Sequence, residues 1–177
     1  MTSARLTLSN AITATRLLVV PFFYCAIVSE GWGLAFLLFW LAVATDLVDG
    51  RVARARGEVS AFGGLLDHAS DATFVALGLI ALAAAGQVPY ALPLLVVAAF
   101  LQYVLDSRSL EGRTLRASFL GRWNGVLYFV PLGVVVSRET LGLSWPSDGV
   151  VLALGWALIV TTSLSILDRA WTLLSSR

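Results

Sequence analysis

The stretch DLVDGRVARARGEVSAFGGLLDHASD, residues 46–71, carries the strongest functional signal of this chain. It holds four of the seven aspartates of the protein: Asp46, Asp49, Asp67 and Asp71. The members of each pair are three or four residues apart, so a helix would place both carboxylates on one face. Apolar runs flank both pairs, and acidic residues at membrane depth are expensive and usually functional. The stretch therefore predicts a functional acidic cluster on two neighbouring helices.

The composition outside this stretch is that of a helical membrane protein. The 177 residues are 58% apolar and 13% charged, with a mean hydropathy of +0.85, whereas soluble domains carry about 25% charged residues. Apolar runs predict six spans, at about 11–29, 33–53, 61–85, 90–106, 122–137 and 150–168. We therefore expect an all-α, polytopic membrane protein with six transmembrane helices. Residues 1–177 would form one domain, with residues 1–10 as an interfacial lead-in.

The positions of the arginines predict the orientation of these spans. The chain has no lysine, and six spans leave only Arg138 on one side of the membrane. The other eleven arginines fall on the opposite side: Arg5, Arg16, Arg51, Arg54, Arg56, Arg108, Arg113, Arg116, Arg122, Arg169 and Arg177. Basic residues accumulate on the cytoplasmic side of membrane proteins. We therefore expect a multi-pass protein of the cell (inner) membrane, with both termini and the acidic cluster facing the cytoplasm.

The aspartates have a simple chemical use. Four anions that converge on one site repel each other unless a cation lies between them. Hard carboxylate oxygens suit Mg²⁺ or Mn²⁺, and four of them could hold two ions. Solvated acidic residues at helix ends are the plainer alternative, but it does not account for aspartates set within apolar sequence. His68 lies about 100° around the helix from Asp67, so we expect it to pack against neighbours and not to bind metal.

The spacing of the fixed residues resembles a known signature. Read with its glycines and arginine, the stretch is Asp46-x2-Asp49-Gly50-x2-Ala53-Arg54-x8-Gly63-x3-Asp67-x3-Asp71. This pattern resembles the signature of the CDP-alcohol phosphotransferases, and every fixed position is present at the family's spacing. The six-span layout is also similar, so the resemblance extends over most of the chain.

The resemblance implies an activity and a set of roles. Such enzymes transfer a phosphatidyl or similar group from a CDP-linked lipid, such as CDP-diacylglycerol, to a small alcohol and release CMP. By resemblance, Asp71 would be the catalytic base. Metal ions would be held by all four aspartates, and the donor nucleotide would be bound by Gly50, Ala53, Arg54 and Gly63. The family also implies a homodimer in the lipid bilayer, and no nucleic-acid partner is expected.

Two segments bear on the acceptor alcohol. LSNAITATRLLVVPFF, with Asn10, Thr13 and Arg16, is similar to the N-terminal segment of phosphatidylglycerophosphate synthases, which favours glycerol 3-phosphate. YVLDSRSLEG, residues 103–112, is similar to a Tyr-x4-Arg segment of phosphatidylinositol phosphate synthases, which leaves inositol phosphate or another polar alcohol as the alternative. Either phosphate would be recognised by arginine. The candidates are Arg108, Arg113, Arg116 and Arg122.

A function of another class is also compatible with intramembrane aspartates. A divalent-cation transport protein would use them along its pathway. It would also need acidic residues at midplane depth on several other spans, and the first, fifth and sixth spans have none in their cores. The sequence therefore favours the phosphotransferase.

Overall fold

The computed structural model describes residues 8–56, 61–109 and 119–175, and every regular element within these ranges is an α-helix. The helices are α1 Leu8–Val28, α2 Trp32–Arg56, α3 Ala61–Ala84, α4 Ala91–Ser109, α5 Phe119–Leu127, α6 Phe129–Leu141 and α7 Asp148–Ser175. The all-α prediction is confirmed for this part of the chain. Of the predicted lead-in, residues 1–7 lie outside the described residues and the rest begins α1.

The fifth predicted span is the one that differs, because α5 and α6 divide it at Tyr128. Pro131 lies in the first turn of α6. A prolyl ring has no N–H to donate and clashes with the carbonyl four residues earlier, which here belongs to Leu127. The backbone of Tyr128 keeps right-handed helical angles, with φ −64° and ψ −24°. The two helices therefore follow each other directly, with no loop between them.

Glycines end two of the helices, α3 near its predicted end at residue 85 and α6 about four residues beyond the predicted end at residue 137. The chain leaves α3 at Gly86, whose φ is +72°, and leaves α6 at Gly142, whose φ is +63°. A residue without Cβ adopts this left-handed conformation at little cost, and such a residue commonly terminates a helix. The amide of Gln87 donates to the carbonyl of Leu82 at 3.0 Å, which closes the end of α3. The break between the predicted spans 61–85 and 90–106 is thereby confirmed.

An aromatic cluster joins the helices that carry the acidic stretch to the rest of the bundle. Phe23 of α1 and Phe74 of α3 stack with ring centroids 4.5 Å apart, and both side chains are fully buried. Phe39 of α2 and Phe129 of α6 adjoin this pair at centroid distances of 6.2–6.3 Å. Buried aromatic pairs contribute about 0.5–1.5 kcal/mol each beyond their buried area. The cluster thus fixes α1, α2 and α3 against one another.

Ion pairs of the buried Arg138 side chain tie α6 to the start of α7. The Arg138 side chain, 7% exposed, pairs with Glu139 and with Asp148, each at 2.6 Å. Its Nη1 also donates to the carbonyl of Pro146 at 2.8 Å. Arg138 is the one arginine that the six-span interpretation assigns to the far side of the membrane. Its structural role at the α6–α7 connection is therefore separate from the acidic stretch.

Membrane-spanning character is clearest for two helices. By length and apolar composition, the candidate spans among the described residues are Leu66–Ala84 and Asp148–Thr172. Three further apolar helical stretches are shorter: Thr15–Val28, Trp32–Val48 and Ala91–Leu105. Helix α2 has 25 residues, but its last third contains aspartates and arginines, which shortens its apolar part. The full six-span topology therefore stays a prediction.

Candidate metal centre and active site

Three helices bring the functional side chains to a similar depth in the bundle. Asp46 lies ten residues before the end of α2, and Asp71 lies ten residues after the start of α3. At 1.5 Å per residue, each is about 15 Å from the helix end. Arg16 lies eight residues into α1, or about 12 Å along its axis. The site is therefore well inside the bundle, towards the end where α1 and α3 begin and α2 finishes.

Asp46, Asp67 and Asp71 form a compact acidic triad. One carboxylate oxygen of each lies within 4.8 Å of the others. The three side chains are partly accessible, with relative exposures of 42%, 37% and 27% respectively. Because Asp46 comes from α2 and the other two from α3, the triad depends on the packing of these helices and not on sequence spacing alone. A ligand that approaches from the exposed side can reach all three.

Arg16 lies against all three carboxylates. Its Nη2 is 3.0 Å from Oδ1 of Asp46, and its Nη1 is 3.4 Å from Oδ1 of Asp67. The same Nη1 donates a short hydrogen bond to Oδ1 of Asp71. The Arg16 side chain is only 2% exposed. A buried guanidinium is stable only when it is paired and hydrogen-bonded, and the triad satisfies that requirement while reducing the mutual repulsion of its carboxylates.

The triad also fits a hard divalent cation. All of its donors are carboxylate oxygens, the ligand type that Mg²⁺, Mn²⁺ and Ca²⁺ prefer. The partial exposure of the three side chains leaves room for water or substrate oxygens to complete the coordination. Gly64, about one turn before Asp67, is exposed, and among the described residues no atom lies within 4 Å of the position that a Cβ would occupy there.

The remaining predicted site residues are placed only in part. The side chains of six residues within helices are outside the described residues: Asp49, Gly50, Ala53 and Arg54 of α2, Gly63 of α3 and Arg108 of α4. Asp49 follows Asp46 by three residues in α2, so it shares a helix face with a triad member. Arg113 and Arg116 lie wholly outside the described residues. Arg122 is exposed on α5.

Two arginines have surroundings that their sequence positions do not reveal. Arg16 is the centre of the ion-pair network, although the sequence marks it only as a basic residue of the cytoplasmic side and as part of the N-terminal segment that bears on the acceptor. Arg169 of α7 lies over the ring of Tyr103 of α4, with 5.3 Å from its guanidinium carbon to the ring centroid. The edge of His68 meets the same ring at a centroid distance of 5.4 Å, in line with the packing role expected of it. A charge within the apolar run of residues 11–29 was the available signal for Arg16.

Comparison with known proteins agrees with the resemblance seen in the sequence. A family model described as CDP-alcohol phosphatidyltransferase matches residues 6–164. A Mycobacterium tuberculosis protein provisionally named a phosphatidylglycerophosphate synthase is 29% identical over 178 aligned positions, which cover 92% of this chain and 81% of the relative. A second protein of that organism, provisionally named a cardiolipin synthase, is 31% identical over 163 positions, which cover 88% and 75%.

A third relative matches a shorter part of the chain. It is the CDP-diacylglycerol–glycerol-3-phosphate 3-phosphatidyltransferase of Wigglesworthia glossinidia brevipalpis, 35% identical over 79 positions, or 43% of each chain. The family match covers most of the chain and includes Arg16 and the whole stretch from Asp46 to Asp71. The chain therefore belongs to the CDP-alcohol phosphatidyltransferase family.

Proposed function

We propose that this enzyme transfers the phosphatidyl group of CDP-diacylglycerol to glycerol 3-phosphate and releases CMP. The observation that carries the proposal is the triad of Asp46, Asp67 and Asp71, with oxygens within 4.8 Å of one another, inside a chain of this family. A donor of this kind has a pyrophosphate, and its transfer requires charge neutralisation on both phosphates. The names of two relatives, a phosphatidylglycerophosphate synthase and a glycerol-3-phosphate phosphatidyltransferase, support the acceptor.

The four aspartates are proposed to hold Mg²⁺ or Mn²⁺, with two ions bound in the active enzyme. When bound, the metal would neutralise the pyrophosphate oxygens and the leaving CMP. Asp49 joins the set because it is one helical turn from Asp46. On the donor side, Gly50 and Gly63 would leave room for the nucleotide and its phosphates, and Ala53 and Arg54 would line the same surface.

Asp71 is proposed to accept the proton of the acceptor hydroxyl. The hydroxyl oxygen then bonds to the phosphorus of the phosphatidyl group, and the bond from that phosphorus to the CMP oxygen breaks. The proton goes to a carboxylate oxygen of Asp71, and CMP leaves with the bonding electron pair. Asp71 is the least exposed member of the triad, at 27%, and it remains accessible to an acceptor hydroxyl that enters the site.

The phosphate of glycerol 3-phosphate would need cationic partners. Arg108, Arg113, Arg116 and Arg122 are proposed for this role, because guanidinium groups recognise phosphate through paired hydrogen bonds. A second acceptor has a specific observation in its favour: the relative that is 31% identical is provisionally named a cardiolipin synthase. Phosphatidylglycerol is therefore kept as the second candidate, and inositol phosphate as the third.

We further propose that the protein crosses the cell membrane six times and works as a homodimer. Large apolar side chains face outwards along several helices, among them Leu18, Leu94 and Leu167, each at least 65% exposed. Exposed apolar area on this scale suits lipid or a partner chain. The arginine distribution supports a cytoplasmic site with both termini on the same side. The lipid tails of the donor would stay in the bilayer while its headgroup enters the site.

The test is CMP release by purified, detergent-solubilised protein with CDP-diacylglycerol and MgCl₂. The acceptors to compare are glycerol 3-phosphate, phosphatidylglycerol, inositol phosphate, inositol and serine. We expect turnover with glycerol 3-phosphate and its loss in excess EDTA. We also expect its loss in Asp67→Asn, whereas Asp148→Asn, the same chemical change at the α6–α7 connection, keeps it.

Each other outcome has a defined meaning. Turnover with phosphatidylglycerol alone, or with inositol phosphate alone, would show that this alcohol is the acceptor in place of glycerol 3-phosphate. The proposed type of reaction would stand. Wild-type turnover in Asp67→Asn would contradict the metal site. Metal flux into proteoliposomes without CMP release from any acceptor would contradict the reaction itself and favour the transport alternative.

A further inference from the structure

We propose that Arg16 is a built-in counter-cation that occupies the acidic site of the metal-free enzyme and has to leave it before metal can bind. The inference rests on the metal-binding role proposed above for Asp46, Asp67 and Asp71. It adds a residue outside the signature stretch, one that sets the metal concentration at which the enzyme becomes competent.

The first support is the position of the guanidinium. It contacts one oxygen of each triad member, with Nη1 shared between Asp67 and Asp71 and Nη2 on Asp46. These three carboxylates are also the group whose oxygens lie close enough together to share an ion. A cation coordinated by the same oxygens would lie between them at about 2.0–2.1 Å from each, if it were Mg²⁺. That space adjoins both Nη atoms.

The second support is electrostatic. Three carboxylates and one guanidinium carry a formal charge of −2, so the network retains an attraction for further positive charge. However, a divalent ion beside a guanidinium would meet repulsion, because two cations would then lie within a few ångströms of each other. The two cations therefore compete for the same oxygens. Because an arginine side chain has several rotatable bonds, the guanidinium can leave while the α1 backbone stays in place.

The third support is burial. Arg16 is 3% exposed, yet it lies in the apolar helical stretch Thr15–Val28 of α1. A buried arginine is strongly destabilising without partners, so the triad is needed to hold it. In the metal-free protein, Arg16 and the aspartates therefore stabilise each other, and loss of either side leaves uncompensated charge.

Competition of this kind has a measurable size. The apparent affinity of a ligand falls in proportion to the fraction of protein that is competent to bind it. If Arg16 occupies the site for about 90% of the time, metal binds about tenfold more weakly than it would to the same aspartates alone. Removal of the guanidinium should therefore tighten metal binding, which is the opposite of what loss of a supporting residue would do.

The experiment is a Mn²⁺ titration of metal-free protein, with free Mn²⁺ followed by electron paramagnetic resonance, together with thermal unfolding in EDTA and in saturating Mn²⁺. The variants are Arg16→Met, which removes the charge, and Arg16→Lys, which keeps it on a single nitrogen with three donors in place of the planar five-donor fork of arginine. Arg138→Met is the matched control, because Arg138 is also buried and paired with carboxylates but lies at the α6–α7 connection. Asp67→Asn reports whether the titration measures this site.

We expect Arg16→Met to bind Mn²⁺ about tenfold more tightly than wild type, with Arg16→Lys between them and Arg138→Met unchanged. In EDTA, Arg16→Met should unfold at a lower temperature than wild type. Saturating Mn²⁺ should raise its unfolding temperature by more than it raises that of wild type. Equal or weaker binding in Arg16→Met would overturn the proposal, and if that variant does not fold, equal or weaker binding in Arg16→Lys would do so. Absence of Mn²⁺ binding in wild type, or unchanged binding in Asp67→Asn, would instead overturn the metal site and this inference with it.

Discussion

Gly78 determines how closely α3, the helix of Asp67 and Asp71, packs against its neighbours. A Cβ added at Gly78 would lie 2.8 Å from Cδ2 of Leu132 in α6 and 2.8 Å from Cε1 of Phe23 in α1. Both of these side chains are 0% exposed, so neither has free space to move into. The change Gly78→Ala would therefore push α3 away from two helices at once, seven residues along the helix from Asp71.

The expected change in the free energy of unfolding follows from two opposing effects. Alanine in place of glycine in a helix interior stabilises by about 1 kcal/mol, whereas one methyl too many in a packed core destabilises by about 1–3 kcal/mol. Gly125 of α5 provides the control, because a Cβ there would meet no atom of the described residues within 4 Å. Gly125→Ala should therefore show only the stabilisation that alanine gives in a helix interior. The difference between the two variants isolates the packing cost, which we expect to be about 1–3 kcal/mol.

The assay is thermal unfolding of the detergent-solubilised protein followed by far-UV circular dichroism. For a chain of this size, 1 kcal/mol corresponds to about 2–4 °C in Tm, so Gly78→Ala should melt about 2–12 °C below Gly125→Ala. A double-mutant cycle with Leu132→Ala sharpens the test. Leu132→Ala alone should destabilise by about 2–5 kcal/mol, and the combined variant should lose less than the sum, because the shortened side chain no longer meets the new methyl.

Two results would refute this reasoning. One is a Gly78→Ala protein as stable as Gly125→Ala, which would mean that α1, α3 and α6 are not in close contact at Gly78. The other is strict additivity of Gly78→Ala and Leu132→Ala, since residues in contact should couple and distant ones should not. Either result would also weaken the position assigned to Asp67 and Asp71, because the same helix carries them.

Three further predictions concern the site and its support. Asp71→Asn should lower kcat by about 10²–10⁴-fold, as expected for loss of a general base, while CDP-diacylglycerol still raises the unfolding temperature; loss of both effects would make Asp71 mainly a metal ligand. Arg122→Ala should raise the KM for the acceptor more than the KM for the donor, and the reverse pattern in initial-rate kinetics would assign Arg122 to the nucleotide. Tyr128→Phe removes the buried 2.8 Å hydrogen bond to Thr162 and should cost about 0.5–1.5 kcal/mol of stability with both KM values unchanged; altered KM values would link this pair to the substrate.

Much of the helical framework could be predicted from the sequence, because long apolar runs bounded by glycine and polar turns leave few alternatives. The predicted third span, 61–85, differs from α3 by one residue at its end. The fifth span was wrong in one respect, since a single helix was expected where α5 and α6 meet at Tyr128. A hydrophobicity pattern does not predict a break of that kind. The signal in the sequence is Pro131, because its ring clashes with the carbonyl four residues earlier.

The candidate site was predictable only within each helix. Periodicity shows that Asp67 and Asp71 share a face, but the distance from Asp46 to them depends on how α2 packs against α3. The role of Arg16 was missed for the same reason. Its contacts are with residues 30 to 55 positions away, and nothing in its local sequence identifies them. The acceptor side stays a prediction, because Arg113 and Arg116 are outside the described residues and the side chain of Arg108 is too.

Burial of two arginines also bears on the orientation inferred from charge. The sequence assigns eleven arginines to one side and one to the other, but Arg16 and Arg138 are both buried against carboxylates. Each of these two arginines has a structural reason for its position, since its carboxylate partners hold it there, so both can be set aside when orientation is inferred. The count then becomes 11 − 1 = 10 against 1 − 1 = 0. The asymmetry becomes complete, and the far side keeps no arginine that could oppose a cytoplasmic site. The positions of Arg16 and Arg138 are thus explained by their carboxylate partners. The predicted orientation does not depend on either of them.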